Sequence, residues 1–344
     1  MAVTLRDVAL LARVSVKTVS NVVHGYEFVK PATRTRVLSA IERLGYQPNL
    51  AARNLRAGRT GMIGLAVPEL SFSYFAELAD AVLAAARARH YVVLIEQTGG
   101  ERQEEIELLR GPRTSMLDGL LFSPLGMSSA DVSMLDVDYP LVLLGERVFD
   151  PQKDHVAIQN VEGARAATEH LIRNGCRRIA VLGAHPSESV GSAPLRLEGY
   201  RRALADHGID FAEELVVNRE GWHRNDGAEA THELLQRAHP FDAIFALNDE
   251  LAMGALRMLH QEGLRVPDQV MVMGFDNVVE GQFALPSLST IDPRRGEIAE
   301  RAVSLLIDRI VEPDIGVLPP RLFEVPYALV ARETAPDSSL VTQP

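Results

Sequence analysis

Apolar positions recur with two different periods along the chain, and the change comes near residue 61. In the first sixty residues Leu5, Val8, Ala9 and Ala12 stand at i, i+3, i+4 and i+7, which predicts a helix with Thr4 as its N-cap. A tight turn at Arg13-Val14 precedes a second helix, opened by Ser15 as N-cap and ended at Gly25. Val19, Val22 and Val23 share one face of it, with Lys17, Ser20 and Asn21 on the others. β-Branched residues are mediocre helix formers, so packing from behind must hold this helix. Val37, Leu38, Ile41 and Leu44 predict a third helix, closed by Gly45 at the C′ position. Asn49 then caps a short helix running to about Leu55, with Gly58 after it. About six to eight residues do not persist as a helix alone in water, so this one forms only against a surface.

From Gly61 the pattern alternates strand and helix. Apolar runs at Met62–Val67, Val92–Ile95, Leu117–Phe122 and Leu141–Leu144 predict buried strands, with helices at Tyr74–Arg89 and Glu101–Leu109 and a weaker one near Ala130–Leu135. A second series of strands is expected at Ile179–Leu182, Leu215–Val217, Ala243–Leu247 and Val270–Gly274. Its helices fall at Glu162–Asn174, Leu195–His207, Asp226–Gln236 and Glu250–Glu262. Repeated βαβ units imply parallel sheets with right-handed crossovers. The fold class is therefore an all-α helix-turn-helix head on an α/β body of two doubly wound lobes divided near Gln159-Asn160. Leu288–Ile291 and Phe323–Leu329 are left over and are expected to cross back between lobes.

Charge changes the picture. The chain of 344 residues carries −11 overall, which taken whole argues against nucleic acid. Residues 1–60, however, hold ten Lys/Arg against three acidic residues, and the remainder 25 against 43. A cationic head on an anionic body suits a head that meets phosphate. The single cysteine, Cys176, excludes an internal disulfide and fits a reducing compartment. Neither a signal peptide nor an apolar run of about 20 residues is recognisable, so a cytoplasmic, nucleoid-associated protein is expected. No nucleophile elbow, phosphate loop or dinucleotide fingerprint occurs, and the ten histidines show no metal-ligand spacing. No catalytic, metal or cofactor site is therefore assigned, and the chain is read as no enzyme; an α/β enzyme bearing a DNA-binding head is the alternative.

Two short helices joined by a tight turn with a third behind them place the second helix in a DNA major groove. Its first residues, Val16, Lys17 and Thr18, are then positioned for base edges: Val16 for a thymine methyl, Lys17 for guanine O6 and N7. Asn21 meets either an adenine or a phosphate. Leu50 and Leu55 sit in a basic linker with no local core; they either wedge a minor-groove base step apart or dock on the body.

In the body, side chains just after strands are the ligand candidates, because such sheets bind ligands outside their C-terminal strand ends. Arg196 offers a planar fork for hydroxyls or a carboxylate, or else a helix-surface salt bridge. Asp276 accepts hydroxyl hydrogens or caps a helix. Asn248 both donates and accepts, although Asn248-Asp249 read equally as caps, Asp249 the better placed. Trp222, the single tryptophan, is either a stacking platform or a loop anchor. Phe72, Tyr74 and Phe75 form an opposite wall, and Ser123 is a weaker candidate.

Thr4-Leu-Arg-Asp-Val-Ala9, Val14-Ser-Val-Lys-Thr-Val-Ser20, Leu44-Gly-Tyr-Gln-Pro-Asn49 and Ala51-Ala-Arg-Asn-Leu55 resemble the head and hinge of LacI/GalR-family bacterial transcriptional regulators. Gly61–Pro68, Leu117–Leu121, Arg196–Tyr200, Ala246–Asp249 and Val272–Asp276 resemble the family's periplasmic-binding-protein-like body. The resemblance implies DNA contacts from Thr4, Ser15, Val16, Lys17, Thr18, Ser20, Asn21, His24, Asn49, Ala52 and Leu55, with Leu55 as the minor-groove lever. It implies that Phe72, Tyr74, Phe75, Ser123, Arg196, Trp222, Asn248 and Asp276 line an effector cleft. The implied domains are a DNA-binding domain at 1–47, a hinge helix and linker at 48–60, an effector and dimerisation domain at 61–334, and a tail at 335–344. Within that third domain, lobe one takes about 61–160 and 290–322, and lobe two about 161–289 and 323–332. Arg13 stands where the family often has glycine, Asn21 where it often has arginine, and Gly145 where many members have aspartate, with Glu146 beside it. The implied function is a repressor of carbohydrate genes, bound as a homodimer to double-stranded operator DNA and released by a small sugar or polyol. A nucleobase co-repressor is the alternative ligand. The tail has no leucine heptads, so a dimer is the default assembly.

Overall fold

The computed structural model describes residues 3–23, 26, 28–46, 59–186, 188, 190–311 and 319–337. The chain divides into two compact units, Met1–Gly61 and Met62–Pro344.

The first unit contains α1 (Leu5–Ala12), α2 (Val16–Val23) and α3 (Pro31–Leu44). Thr4 opens α1 with a capping box: the Asp7 amide donates to Thr4 Oγ1 at 3.4 Å, and the Thr4 amide donates to Asp7 Oδ2 at 2.8 Å. The turn after α1 is made by Arg13 in the left-handed region, at φ 52° and ψ 49°. Ser15 then accepts from the Thr18 amide at 3.1 Å, which caps α2. α3 starts on Pro31 and ends on Gly45 at φ 61°. Val8, Ala12, Val19, Val22, Val37 and Ala40 are buried together. Leu38 is half exposed at 51%, although the pattern predicted it in the core. Ala40 lies one turn from Val37 and shares its face, whereas Leu38 lies roughly 100° round the helix. Gly25, His24 and the predicted hinge helix with Asn49, Ala52 and Leu55 lie outside the described residues.

The second unit begins with β1 (Met62–Val67), α4 (Ser73–Ala88), β2 (Val92–Gln97), α5 (Arg102–Arg110), β3 (Leu120–Phe122), β4 (Leu141–Leu144) and β5 (Asp154–Ile158). There follow α6 (Asn160–Arg173), β6 (Ile179–Ala184), α7 (Ser192–Asp206), β7 (Val216–Asn218), α8 (Arg224–Gln236), β8 (Ala243–Ala246), α9 (Asp249–Gln261) and β9 (Met271–Met273). The unit closes with α10 (Val279–Gln282), β10 (Thr290–Asp292), α11 (Arg295–Val311), β11 (Leu322–Val325) and β12 (Ala328–Val330). The weak helix expected near Ala130–Leu135 is a 3-10 segment, Ser129–Leu135, started by Ser128.

One parallel sheet has the order β11-β5-β4-β3-β1-β2, and a second parallel sheet the order β7-β6-β8-β9. Their central strands are buried along their length, apart from Met62 at the start of β1, as a sheet covered on both faces requires. β10 and β12 pair antiparallel.

Strand pairing adds one strand and moves two others to the opposite lobe. β5 was not predicted, because it opens on Asp154 and His155 and so shows no apolar run. Both are buried, and the Asp154 carboxylate accepts from Arg309 Nε at 2.9 Å and from the Arg321 amide at 2.8 Å. β11, assigned to the second lobe, pairs with β5 from Leu322↔His155 to Val325↔Ile158 and belongs to the first sheet. β10, assigned to the first lobe, runs beside β9: the Gly274 amide donates to Ser289 O at 2.9 Å and the Asp276 amide to Ile291 O at 2.8 Å. Apolar content marks such segments as strands, but only the hydrogen-bond partner decides which sheet receives them.

Candidate functional site

Two places gather the candidate side chains, one in each unit. In the head, Val19 and Val22 fix the inner face of α2 in the core. That leaves Val16, 41% exposed, and Lys17 on the outer face of the first turn. The Ser15 and Thr18 hydroxyls are 2.8 Å apart, so both serve the cap as well as the surface. Ser20 and Asn21 are half-buried further along α2, and Thr4 is exposed at the start of α1. This is a short helix held rigidly from behind, with an aliphatic side chain and a cation at its leading end.

In the body, the loops after β1, β3, β4, β6, β7 and β9 converge on a cavity of about 340 Å³. Seven of the eight predicted cleft residues line it: Phe72, Tyr74, Phe75, Ser123, Arg196, Trp222 and Asp276. The eighth, Asn248, does not. It is fully buried as the N-cap of α9, accepting from the Leu251 amide at 2.8 Å and donating to Trp222 O at 3.1 Å. Asp249, expected as the better cap, accepts instead from the Val278 amide and the Thr290 hydroxyl at 2.9 and 2.6 Å.

Arg196 and Asp276 form the polar centre. Arg196 is 3% exposed and donates through Nε to Asn160 at 2.7 Å, through one terminal nitrogen to Leu247 O, and through the other to Asp276 Oδ1 at 3.3 Å. Its guanidinium stacks 3.7 Å from the Phe275 ring and 5.5 Å from the Trp222 ring. Trp222 is both platform and anchor, because its indole N–H donates to Gly183 O at 2.9 Å while the ring lines the cavity.

Asp276 stands at φ 113°, followed by Asn277 at φ 52°, backbone that costs a non-glycine residue on the order of 1–3 kcal/mol. Arg295 holds both in place, donating to the carbonyls of Asp276 and Asn277 while pairing with Glu77 of α4. Burial pushes the Asp276 carboxyl up to about 6, against the pull of Arg196 and Arg295. Burial likewise raises Tyr74, and the negative charges of Asp276 and Glu146 add to the rise.

Glu146 lies beside Gly145, which adopts φ 83°. It is buried and lines the cavity, accepting from the Ile158 amide at 2.8 Å and the Ser192 hydroxyl at 2.9 Å. Burial raises its pKa, while the Ile158 amide and Arg196 pull it down. Arg147, Glu188 and Ser192 also line the cavity and were not predicted. The signal for Arg147 was available, since it follows a strand end as Ser123 does. Glu188 and Ser192 lie beyond β6, in a loop whose reach no periodicity reveals.

Residues 4–49 match the model of the bacterial regulatory proteins of the lacI family, and residues 168–335 match a periplasmic binding protein-like domain. The chain is 34% identical to a ribose operon repressor of Halalkalibacterium halodurans, over 96% of each chain. It superposes on a complex of the transcriptional regulator CelR with cellobiose at a TM-score of 0.71, with 32% identity over 96% of this chain and 99% of the other. It also superposes on the lac repressor dimer bound to operator at a TM-score of 0.74, with 26% identity over 98% and 100% of the two chains. With a helix-turn-helix head, a doubly wound body and matches along nearly its whole length, this chain belongs to the LacI family of DNA-binding bacterial transcriptional regulators.

Proposed function

We propose that the chain is a repressor of carbohydrate genes that binds a two-fold operator as a homodimer and leaves it when a sugar-like effector fills the cleft. The observation that carries this reading is the cleft wall. The paired Arg196 and Asp276, further polar side chains and aromatic rings converge there, as a ligand with hydroxyl edges and apolar ring faces requires. The relatives named above, one for a ribose operon and one holding cellobiose, support a sugar. The lac repressor complex supports a dimer on DNA.

Val16 and Lys17 read base edges, and the hydroxyls of Thr4, Ser15, Thr18 and Ser20 together with Asn21 meet the backbone that fixes register. His24, Asn49, Ala52 and Leu55 complete the DNA surface, with Leu55 entering the minor groove. The effector shifts the operator-bound population only by its differential affinity for the two forms, so an inducer binds the DNA-bound form less well. The protein acts in the cytoplasm, on the chromosome, and releases its effector unchanged.

Selection of operator sequences from a random pool, followed by titration with Lys17→Ala, tests the reading. Loss of preference at one base position, worth about 1–3 kcal/mol, is expected of a base reader. Uniform weakening across sequences would make Lys17 a phosphate contact. Adding sugars to the wild-type complex is expected to release the DNA, and no release by any of them would remove the inducer reading.

A further inference from the structure

The charge of the cleft wall carries one more step. Each guanidinium in it is already met by a carboxylate of the same wall, Arg196 by Asp276 and Arg147 by Glu188. Glu69, Glu146 and Glu220 remain as surplus acids. Glu146 is satisfied by an amide and a hydroxyl, Glu69 lies 3.3 Å from His223, and Glu220 is exposed. An anionic ligand entering here meets the buried carboxyl of Glu146 and, toward solvent, those of Glu69 and Glu220. To be held, it would have to take Arg196 or Arg147 from a partner that would then be left uncompensated.

An uncharged polyol makes no such demand. Asp276 Oδ1 is taken by Arg196, but Oδ2 has no hydrogen-bond partner among the described residues and accepts a ligand hydroxyl. Tyr74 and Ser123 bring hydroxyls that both donate and accept. Phe72, Phe75 and Trp222 line the cavity with aromatic surface that suits the apolar side of a sugar ring. The 340 Å³ cavity holds the volume of about eleven waters, more than one hexose ring displaces and near what two linked rings fill.

We propose that the cleft takes a neutral disaccharide and rejects the phosphorylated or carboxylated form of the same sugar. This deepens the sugar-effector reading and rests on it.

Calorimetry and thermal shift on the full chain, with matched pairs, test it: cellobiose against cellobionate, maltose against maltose phosphate, and glucose against glucose 6-phosphate, with glucosamine and guanine alongside. A neutral disaccharide is expected to bind and raise the melting temperature, with its anionic counterpart on the order of 100-fold weaker. Glu220→Gln, at an exposed position, and its combination with Glu146→Gln are expected to narrow that gap to roughly tenfold. Equal or tighter binding of the anion overturns the proposal, and so does best binding by glucosamine or by a monosaccharide, while the sugar-effector reading stands. A gap unchanged in the folded variants overturns charge as its cause. Binding of guanine with no response to any sugar overturns the effector reading itself, and this proposal with it.

Discussion

Arg13 places a long cationic side chain on backbone that glycine prefers, at φ 52°. The left-handed region costs a residue with a Cβ about 1 kcal/mol or more. Arg13→Gly is therefore expected to raise the opening free energy of the α1–α2 turn by up to about 1 kcal/mol, read by amide exchange of α2. That strain was legible only through the family resemblance, since Arg13 stands where the family often has glycine. Asp276 was legible as a strand-end carboxylate. Its φ of 113° and its dependence on Arg295 were not, since they come from a helix that the chain reaches only after β10. Asn248 stays open between two roles in the sequence for a chemical reason: an amide that caps a helix is indistinguishable there from one that holds a ligand, and the structure shows the cap. Asp276 also sets a pH dependence. A ligand hydroxyl donates to the ionised carboxyl, so binding favours proton loss, and affinity is expected to rise as pH climbs through about 6. Calorimetry on either side of that pH, in buffers of different ionisation enthalpy, reads the released proton. Affinity that instead fell with rising pH would assign the protonated form.

Among the elements, α2 and β5 show opposite degrees of legibility. α2 announced itself through a cap and three valines on one face, and the structure puts Val19 and Val22 in the core. β5 was invisible because its first two residues are ionisable, and only Arg309 of α11 and Arg321 make a buried carboxylate tolerable there. Burial opposes the charge on Asp154, but these arginines and the Arg321 amide hold its carboxyl below the usual range. A folded pKa below the unfolded value of about 3.9 contributes stability above that value, and loses it as pH falls through the folded one. Asp154→Ala strands Arg309 without its partner and is expected to cost about 3–5 kcal/mol at neutral pH, measured by urea unfolding. The gap to wild type should close below about pH 4; a gap that stayed constant there would mean that packing, and not charge, is lost.

At the scale of the whole molecule, the parallel sheets and their order of elements were legible from the alternation of runs and helices. The route between the sheets was not. The chain leaves the first sheet after β5, builds the second through β9 with β10 alongside, returns in α11 and β11, and crosses once more to place β12 beside β10. Truncation after Pro320 removes β11 and β12, exposing one edge of β5 and leaving β10 without its antiparallel partner. Such a chain is expected in the insoluble fraction, whereas one ending at Asp337 keeps both strands and stays soluble.

The same route has a consequence for synthesis. β5 is finished before residue 160, yet its partner β11 is added only at residues 322–325. On the ribosome the first sheet therefore waits with an open edge while the entire second sheet is translated, a delay of about ten seconds or more at about 5–20 residues per second. During that interval β5 is a template for any extended strand nearby, including β5 of another nascent chain. Asp154 and His155, which hid the strand from its hydrophobic pattern, put a charge and a polar ring at its start until Arg309 and Arg321 emerge to pair with the carboxylate.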